Sequence, residues 1–183
     1  MIAIIGESGC GKSTMVDEFL KKNKLYKKII PYTTRPIRQN EIDGREYHFI
    51  TKEKFDELES NGFFVETSCY REWWYGLSKE DCKNAFKHTL VITTPAGVRM
   101  MKANNIDVIA VYLYVDRASR MINLIRRGDN VDEAYRRNLS DVGQFDGVVE
   151  EVNYVIDNTE YHMNVEQVVH VFEEVIKDMF NRG

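Results

Sequence analysis

The chain has 183 residues, 43% hydrophobic and 30% charged, with 29 acidic against 25 basic side chains and a net charge of −4. That is one domain of ordinary size with enough apolar material for a real core, which excludes a disordered or fibrous chain. The acidic balance argues against a general nucleic-acid binder, which needs a basic face, and no apolar run approaches the ~20 residues that cross a bilayer.

In chain order, the first apolar run is Met1–Ile5, and GESGCGKST follows it from Gly6 to Thr14. Gly6, Gly11, Lys12 and Ser13 occupy every fixed position of the phosphate-binding pattern G-x-x-x-x-G-K-[ST]. Between them Glu7, Ser8, Gly9 and Cys10 complete a loop whose backbone N–H groups can curl around a polyphosphate. The helix that starts behind it, with Met15, Val16, Phe19 and Leu20 on one side, adds its positive end. Lys12 supplies a point charge to β- and γ-phosphates, the Ser13 hydroxyl can ligate Mg²⁺, and ATP is the expected donor. A motif so close to the start leaves no room for a leader peptide, and Cys10, Cys69 and Cys82 lack metal spacing. A cytoplasmic protein with reduced thiols is therefore expected.

Further apolar runs at 28–30, 90–93, 108–115 and 152–156 predict buried parallel strands. Thr94-Pro95 reads as a helix start, Asp116 as an N-cap with Gly128 as its stop, and Val165 to Met179 carry one apolar stripe. Strands alternating with helices imply a three-layer α/β fold, with ligands beyond the carboxyl ends of the strands. Between Pro31 and Tyr75 the pattern changes. Two short strands, 47–50 and 63–67, flank a helix capped by Thr51 and stopped at Asn61-Gly62, which predicts a small α+β insertion. A second polar stretch, 126–146, holds Arg126, Arg127, Arg136 and Arg137 on two helices joined at Gly128. The four histidines, His48, His88, His162 and His170, are scattered and suggest neither a metal site nor a base.

TTRPIRQNEIDGREYHF, Thr33 to Phe49, follows the phosphate loop, and VET (Val65–Thr67) and WYG (Trp74–Gly76) follow in turn. In this order and spacing the motifs resemble the guanylate kinase family over most of the chain. The resemblance implies a P-loop fold with a five-stranded, mostly parallel sheet in a core of 1–31, 78–125 and 147–183. A nucleoside-monophosphate-binding insertion would span 32–77 and a helical lid 126–146. It further implies that Arg35, Arg38, Tyr47 and Tyr75 bind the acceptor phosphate, that Glu66 reads the base, and that WYG forms a turn. Asn158 of the reversed pair Asp157-Asn158 would sit near the adenine, and Arg127 and Arg137 would serve as the lid's catalytic arginines. The physical chemistry agrees: two arginines three apart can fork around a dianion, and a closing lid keeps water from the γ-phosphate.

The chain departs from the family in base recognition. Leu77 stands where a hydroxyl is expected, Thr94 where an aspartate is expected, and Pro31 where a serine often is. The strand at 90–93 lacks an acidic pair that helps fix magnesium. Phosphoryl transfer is thus indicated more firmly than guanine. GMP or dGMP is the leading acceptor; another nucleotide or phosphorylated small molecule on the same frame, or a non-catalytic interaction module, are the alternatives. The sequence leaves the oligomeric state open.

Overall fold

The structure, a computed structural model, describes residues 1–38, 41–70 and 72–181. In chain order the elements are β1 (Ile2–Ile5), α1 (Lys12–Lys22), β2 (Lys27–Lys28), β3 (Tyr32–Thr33), β4 (His48–Phe49) and α2 (Lys52–Ser60). Then come β5 (Phe64–Tyr70), β6 (Trp73–Ser78), α3 (Lys79–Lys83), β7 (Thr89–Ile92), α4 (Pro95–Ala103) and β8 (Ile109–Tyr114). The chain ends with α5 (Arg117–Arg126), α6 (Val131–Ser140), α7 (Val148–Glu151), β9 (Tyr154–Asp157) and α8 (Val165–Asn181). The main sheet has five parallel strands in the order β2-β7-β1-β8-β9. The runs at 1–5, 90–93 and 108–115 supply the three central strands, because a strand buried on both faces reads as continuous hydrophobicity. The edge strands β2 and β9 overlap the other two runs and are more exposed.

Each face of that sheet carries a core. On one, α1 and α8 pack their apolar stripes together, Phe19 meeting Phe172 edge-on at 5.0 Å between ring centres. Both rings are fully buried, worth about 1.5–3 kcal/mol each by transfer. On the other face, Ala3, Val91 and Ala110 meet Val98 and Met101 of α4 together with Val65, Leu77 and Cys82. The second group ties the insertion to the main sheet.

A four-stranded sheet in the order β4-β3-β6-β5 forms that insertion. Trp74-Tyr75-Gly76, read from the sequence as a turn, instead lies inside β6, antiparallel to both β3 and β5. The run is aromatic, which suits a strand packed on both sides, and Gly76 fits because a Cβ there would lie 2.7 Å from the Phe64 ring. The β5–β6 register shifts between Phe64 and Glu66. This irregularity lets the consecutive residues Val65 and Glu66 both be buried.

Helix starts follow the side-chain chemistry of the sequence. Thr51, Ser78, Thr94 and Asp116 each accept a hydrogen bond from the backbone three residues on. Asp116 also accepts from the Glu160 backbone at 2.7 Å, joining α5 to the loop after β9. Hydrogen bonds from Ser119 and Glu160 hold its carboxyl down at about 2, below the ordinary 3.8. The stability it contributes is present above pH 3.8 and lost as the pH falls toward 2. Asp116→Asn keeps a capping oxygen but cannot titrate, so its melting temperature is expected to fall less steeply than wild type over that range in a pH-resolved thermal melt. Equal slopes would refute the assignment. Among the described residues no helix is long and apolar enough to cross a membrane.

Candidate functional site

The phosphate loop bridges β1 and α1 at the carboxyl edge of the main sheet. Gly9 adopts φ +86, and a Cβ there would lie 2.7 Å from the Arg120 carbonyl, so the loop's path requires glycine. Lys12 turns its ammonium into the loop, donating to the Gly6 carbonyl at 2.5 Å and the Glu7 carbonyl at 3.0 Å. The first turn of α1 has no acidic residue to cancel its positive end, and Ser13 and Thr14 are exposed there. An anion can therefore meet a lysine, a hydroxyl and a helix N-terminus at one point. Cys10 belongs to the core behind the loop.

Other residues hold this loop from behind. The buried Glu7 accepts from the Tyr112 hydroxyl at 3.0 Å and lies 3.7 Å from the Arg120 guanidinium. Arg120 is also 3.6 Å from Asp141, which accepts the Ser8 backbone N–H at 2.7 Å. Burial first, then the Glu7 carboxylate, pushes the Tyr112 phenol far above its usual range, so it remains a donor. On the opposite side a cavity of about 490 Å³ opens beside the loop, lined among others by Cys10, Gly11, Thr14, Asn123, Asn158 and Tyr161. Asn158 is anchored at the edge of this cavity. Both ends of its amide bind the Met163 main chain, at 2.8 and 3.2 Å. The floor it holds is strained, since Glu160 and Tyr161 take φ of +56 and +52, costing roughly 1–2 kcal/mol each.

The insertion and the lid bring arginines within electrostatic reach of one another. Arg35 is buried, its guanidinium 5.5 Å from the Tyr47 and Phe49 ring centres. Glu41 grips it through both carboxylate oxygens, at 2.7 and 2.9 Å, and also accepts the Arg38 backbone N–H. Tyr47 meets Tyr75 edge-on at 5.8 Å between centres. Arg38 lies at the exposed rim, and its guanidinium is held below its usual value, first by partial loss of water and then by the like charges of Arg35 and Arg137. Burial raises the Tyr47 phenol, while Arg35 and Arg137 oppose the shift. Arg137, from α6, is thus near enough for its charge to be felt by Arg38 and Tyr47 of the insertion. It is held by Glu133 at 2.9 Å and lies 3.6 Å from Asp129, which also pairs with Arg127 at 2.5 Å. Arg136 instead faces solvent beside Glu133, and Arg126 lines the cavity of the opposite wall.

Glu66, on β5, is buried at 9% exposure. Its two carboxylate oxygens accept from the Thr93 and Thr94 hydroxyls at 2.9 and 3.0 Å. Burial raises its pKa, and those two hydrogen bonds oppose the shift. Gly97 backs it, since a Cβ there would fall 2.2 Å from the carboxylate. Thr94 also caps α4, and Leu77 is packed in the second core at 4% exposure. Trp74 packs on Phe55 and Lys52.

Arg35, Arg38, Tyr47, Tyr75 and Arg137 are therefore gathered in one region and Glu66 with Thr94 in another, whereas Arg127 joins only through Asp129. Sequence reading passed over Glu41, Thr93, Asn123, Tyr161 and the Glu7–Tyr112–Arg120–Asp141 set. Glu41 stands close to the two arginines in the chain, and an acid there was a usable signal. The others meet only across long sequence separations, and spacing carries no trace of them.

A family model described as guanylate kinase matches residues 1–177. The guanylate kinase of Nostoc sp. (strain PCC 7120 / SAG 25.82 / UTEX 2576) is 25% identical over 172 residues, covering 92% of this chain and 86% of that protein. A crystal structure of guanylate kinase from Anaplasma phagocytophilum superposes with a TM-score of 0.69 at 19% identity, over 98% of this chain and 85% of that one. The fold is shared more widely: a shikimate kinase structure from Bacteroides thetaiotaomicron gives 0.55 at 18% identity, over 96% and 97% of the two chains. With the family match running through nearly every element described above, the chain belongs to the guanylate kinase family.

Proposed function

We propose that the protein transfers the γ-phosphate of ATP to GMP or dGMP, giving ADP and the nucleoside diphosphate. The observation that carries this reading is the convergence of Arg35 and Arg38 from the insertion with Arg137 from the lid, beside Tyr47. Two separate elements supplying positive charge to one spot suit a dianion held there while a second phosphate sits on the Lys12 loop. In-line transfer between the two needs positioning and charge neutralisation more than covalent chemistry, and no general base if the acceptor phosphate is ionised. Glu41 orients Arg35, Asp129 and Glu133 orient Arg137, and the tyrosine hydroxyls can donate to the same phosphate. The Glu66 carboxylate accepts from the N1–H and amino group of guanine, for which an adenine edge has no equivalent pair of donors.

Mg²⁺ bound to the donor would neutralise β- and γ-phosphate oxygens. Among the described residues no group of three or more His, Cys, Asp or Glu is placed to hold a metal ion. The exposed Ser13 hydroxyl at the head of α1 is the ligand this chain offers, with the donor phosphates supplying the rest.

A second reading, transfer to another nucleoside monophosphate, is favoured by one observation. Leu77 is committed to the core and Thr94 to both Glu66 and the cap of α4, so neither presents an unengaged polar group to guanine. ADP release from ATP and Mg²⁺ against all ribo- and deoxynucleoside monophosphates decides between them. GMP and dGMP are expected to lead by at least about tenfold in kcat/KM. Parity across the panel would overturn the guanine assignment, and no turnover with any nucleotide would overturn phosphoryl transfer to nucleotides.

A further inference from the structure

We propose that Tyr161, acting together with Asn123, is a positioning residue that sets the shape of the phosphate loop for the donor nucleotide. The proposal rests on ATP as donor and extends it. The Tyr161 hydroxyl donates to the Gly9 carbonyl through a short hydrogen bond. Asn123 donates to the same carbonyl at 2.8 Å and to the Tyr161 oxygen at 2.9 Å. The three groups close a ring that uses both Asn123 amide hydrogens, the Tyr161 hydrogen and both lone pairs of the Gly9 oxygen.

Anchoring that carbonyl orients the peptide unit it belongs to. The Gly9–Cys10 peptide is planar and trans, so its N–H points the opposite way from its carbonyl. With the oxygen held outward by the ring, the Cys10 N–H turns to the inside of the loop. There it lies 3.3 Å from the Glu7 carbonyl, the same oxygen that receives the Lys12 ammonium at 3.0 Å. Released, the peptide could turn its carbonyl toward the phosphates, replacing a donor with a repelling dipole. At Gly9 no Cβ opposes such a rotation, and within the loop the peptide is held by the long Cys10–Glu7 hydrogen bond of 3.3 Å, so the ring from outside adds the stronger restraint.

Tyr161 itself is held for this task. Its backbone N–H binds the Asn158 carbonyl at 3.0 Å, and the preceding Glu160 N–H binds Asp116 at 2.7 Å. Residues 160 and 161 remain in the left-handed region, where a side chain is disfavoured, and the ring leans on the core behind α1. Burial, the largest influence, pushes the phenol up to about 12, so the hydroxyl stays a donor at physiological pH. Asn123 and Tyr161 also line the cavity beside the loop, so a nucleotide entering it meets the strap directly.

Tyr161→Phe keeps the ring and deletes the hydroxyl. In calorimetric titration with ATP and Mg²⁺, without acceptor, its Kd is expected to rise about five- to tenfold over wild type. In steady-state assays KM for ATP should rise in parallel while KM for GMP stays within about twofold. Asn123→Ala should do the same and serves if Tyr161→Phe does not fold. The double variant should cost clearly less than the product of the single effects, because both side chains share one acceptor. Unchanged ATP affinity in both single variants, equal losses for ATP and GMP, or fully multiplicative effects would each overturn the proposal. Wild-type protein that binds no ATP would overturn the donor assignment and this proposal with it, whereas normal wild-type binding with an indifferent Tyr161 overturns only the latter.

Discussion

Replacing Lys12 by alanine is expected to lower kcat by about 10³-fold or more, measured as ADP release with saturating ATP, Mg²⁺ and GMP. The ammonium lies inside the loop, 2.5 Å from the Gly6 carbonyl and 3.0 Å from the Glu7 carbonyl. A polyphosphate entering the loop would replace those neutral acceptors by charged oxygens, and the interaction strengthens further as charge shifts toward the bridging oxygen in transfer. Arg35, Arg38 and Arg137 cannot take over, because in the proposed reaction they hold the acceptor phosphate, with Glu41 and Glu133 fixing Arg35 and Arg137 in place. The fold should survive, since alanine is the best helix former and Lys12 is only half-buried at the first position of α1. A variant that keeps a tenth or more of the activity with an unaltered melting temperature would refute the role given to Lys12.

Changing Glu66 to glutamine should lower kcat/KM for GMP by about 10²-fold and remove most of the preference for GMP over AMP. The carboxylate takes the Thr93 and Thr94 hydroxyls on one side and has lone pairs left for two substrate N–H groups. A glutamine places an NH₂ in the same pocket, where donors would face donors. Stability supplies a separate readout. Because burial raises the Glu66 pKa, the folded protein favours the protonated carboxyl, and ionisation above the folded value costs stability. That penalty is present at neutral pH and relieved as the pH falls. Glu66→Gln removes it, so at neutral pH the nucleotide-free variant should melt no lower than wild type even as GMP turnover collapses. Unchanged discrimination between GMP and AMP would remove Glu66 from base recognition.

The sequence was most informative where chemistry is local. The phosphate loop is a run of consecutive residues, and helix caps such as Thr51, Thr94 and Asp116 act three residues ahead of themselves. The three central strands of the main sheet, β7, β1 and β8, are buried runs of mostly apolar residues, so each announces itself. The insertion was harder to read, because its strands are short and mixed. Thus 74–76 looked like a turn, although pairing with β3 and β5 makes it a strand.

Leu77 shows the same limit from the other side. By motif position it was a missing hydroxyl; in space it is a core residue joining the insertion to the second core. Asn158 was named as a base contact by position; in space it lines the cavity beside the loop and spends one donor and one acceptor of its amide on Met163. Arg35 and Arg38 could be named from their spacing. Arg137 was named from the resemblance together with Arg127; which of the lid's arginines points toward Arg38 depends on how α6 is rotated, and Arg136 beside it faces away.

By itself, then, the sequence determined a phosphate-loop motif, an α/β frame around it and a pair of arginines three apart, because each depends on residues close in the chain. Only the tertiary structure decided what surrounds them: Glu41 on Arg35, the two threonines on Glu66, and Tyr161 with Asn123 on the Gly9 carbonyl. Apart from Glu41, those partners lie 27 to 152 residues from the groups they hold, and only the packing of the sheets and helices brings them within hydrogen-bonding distance.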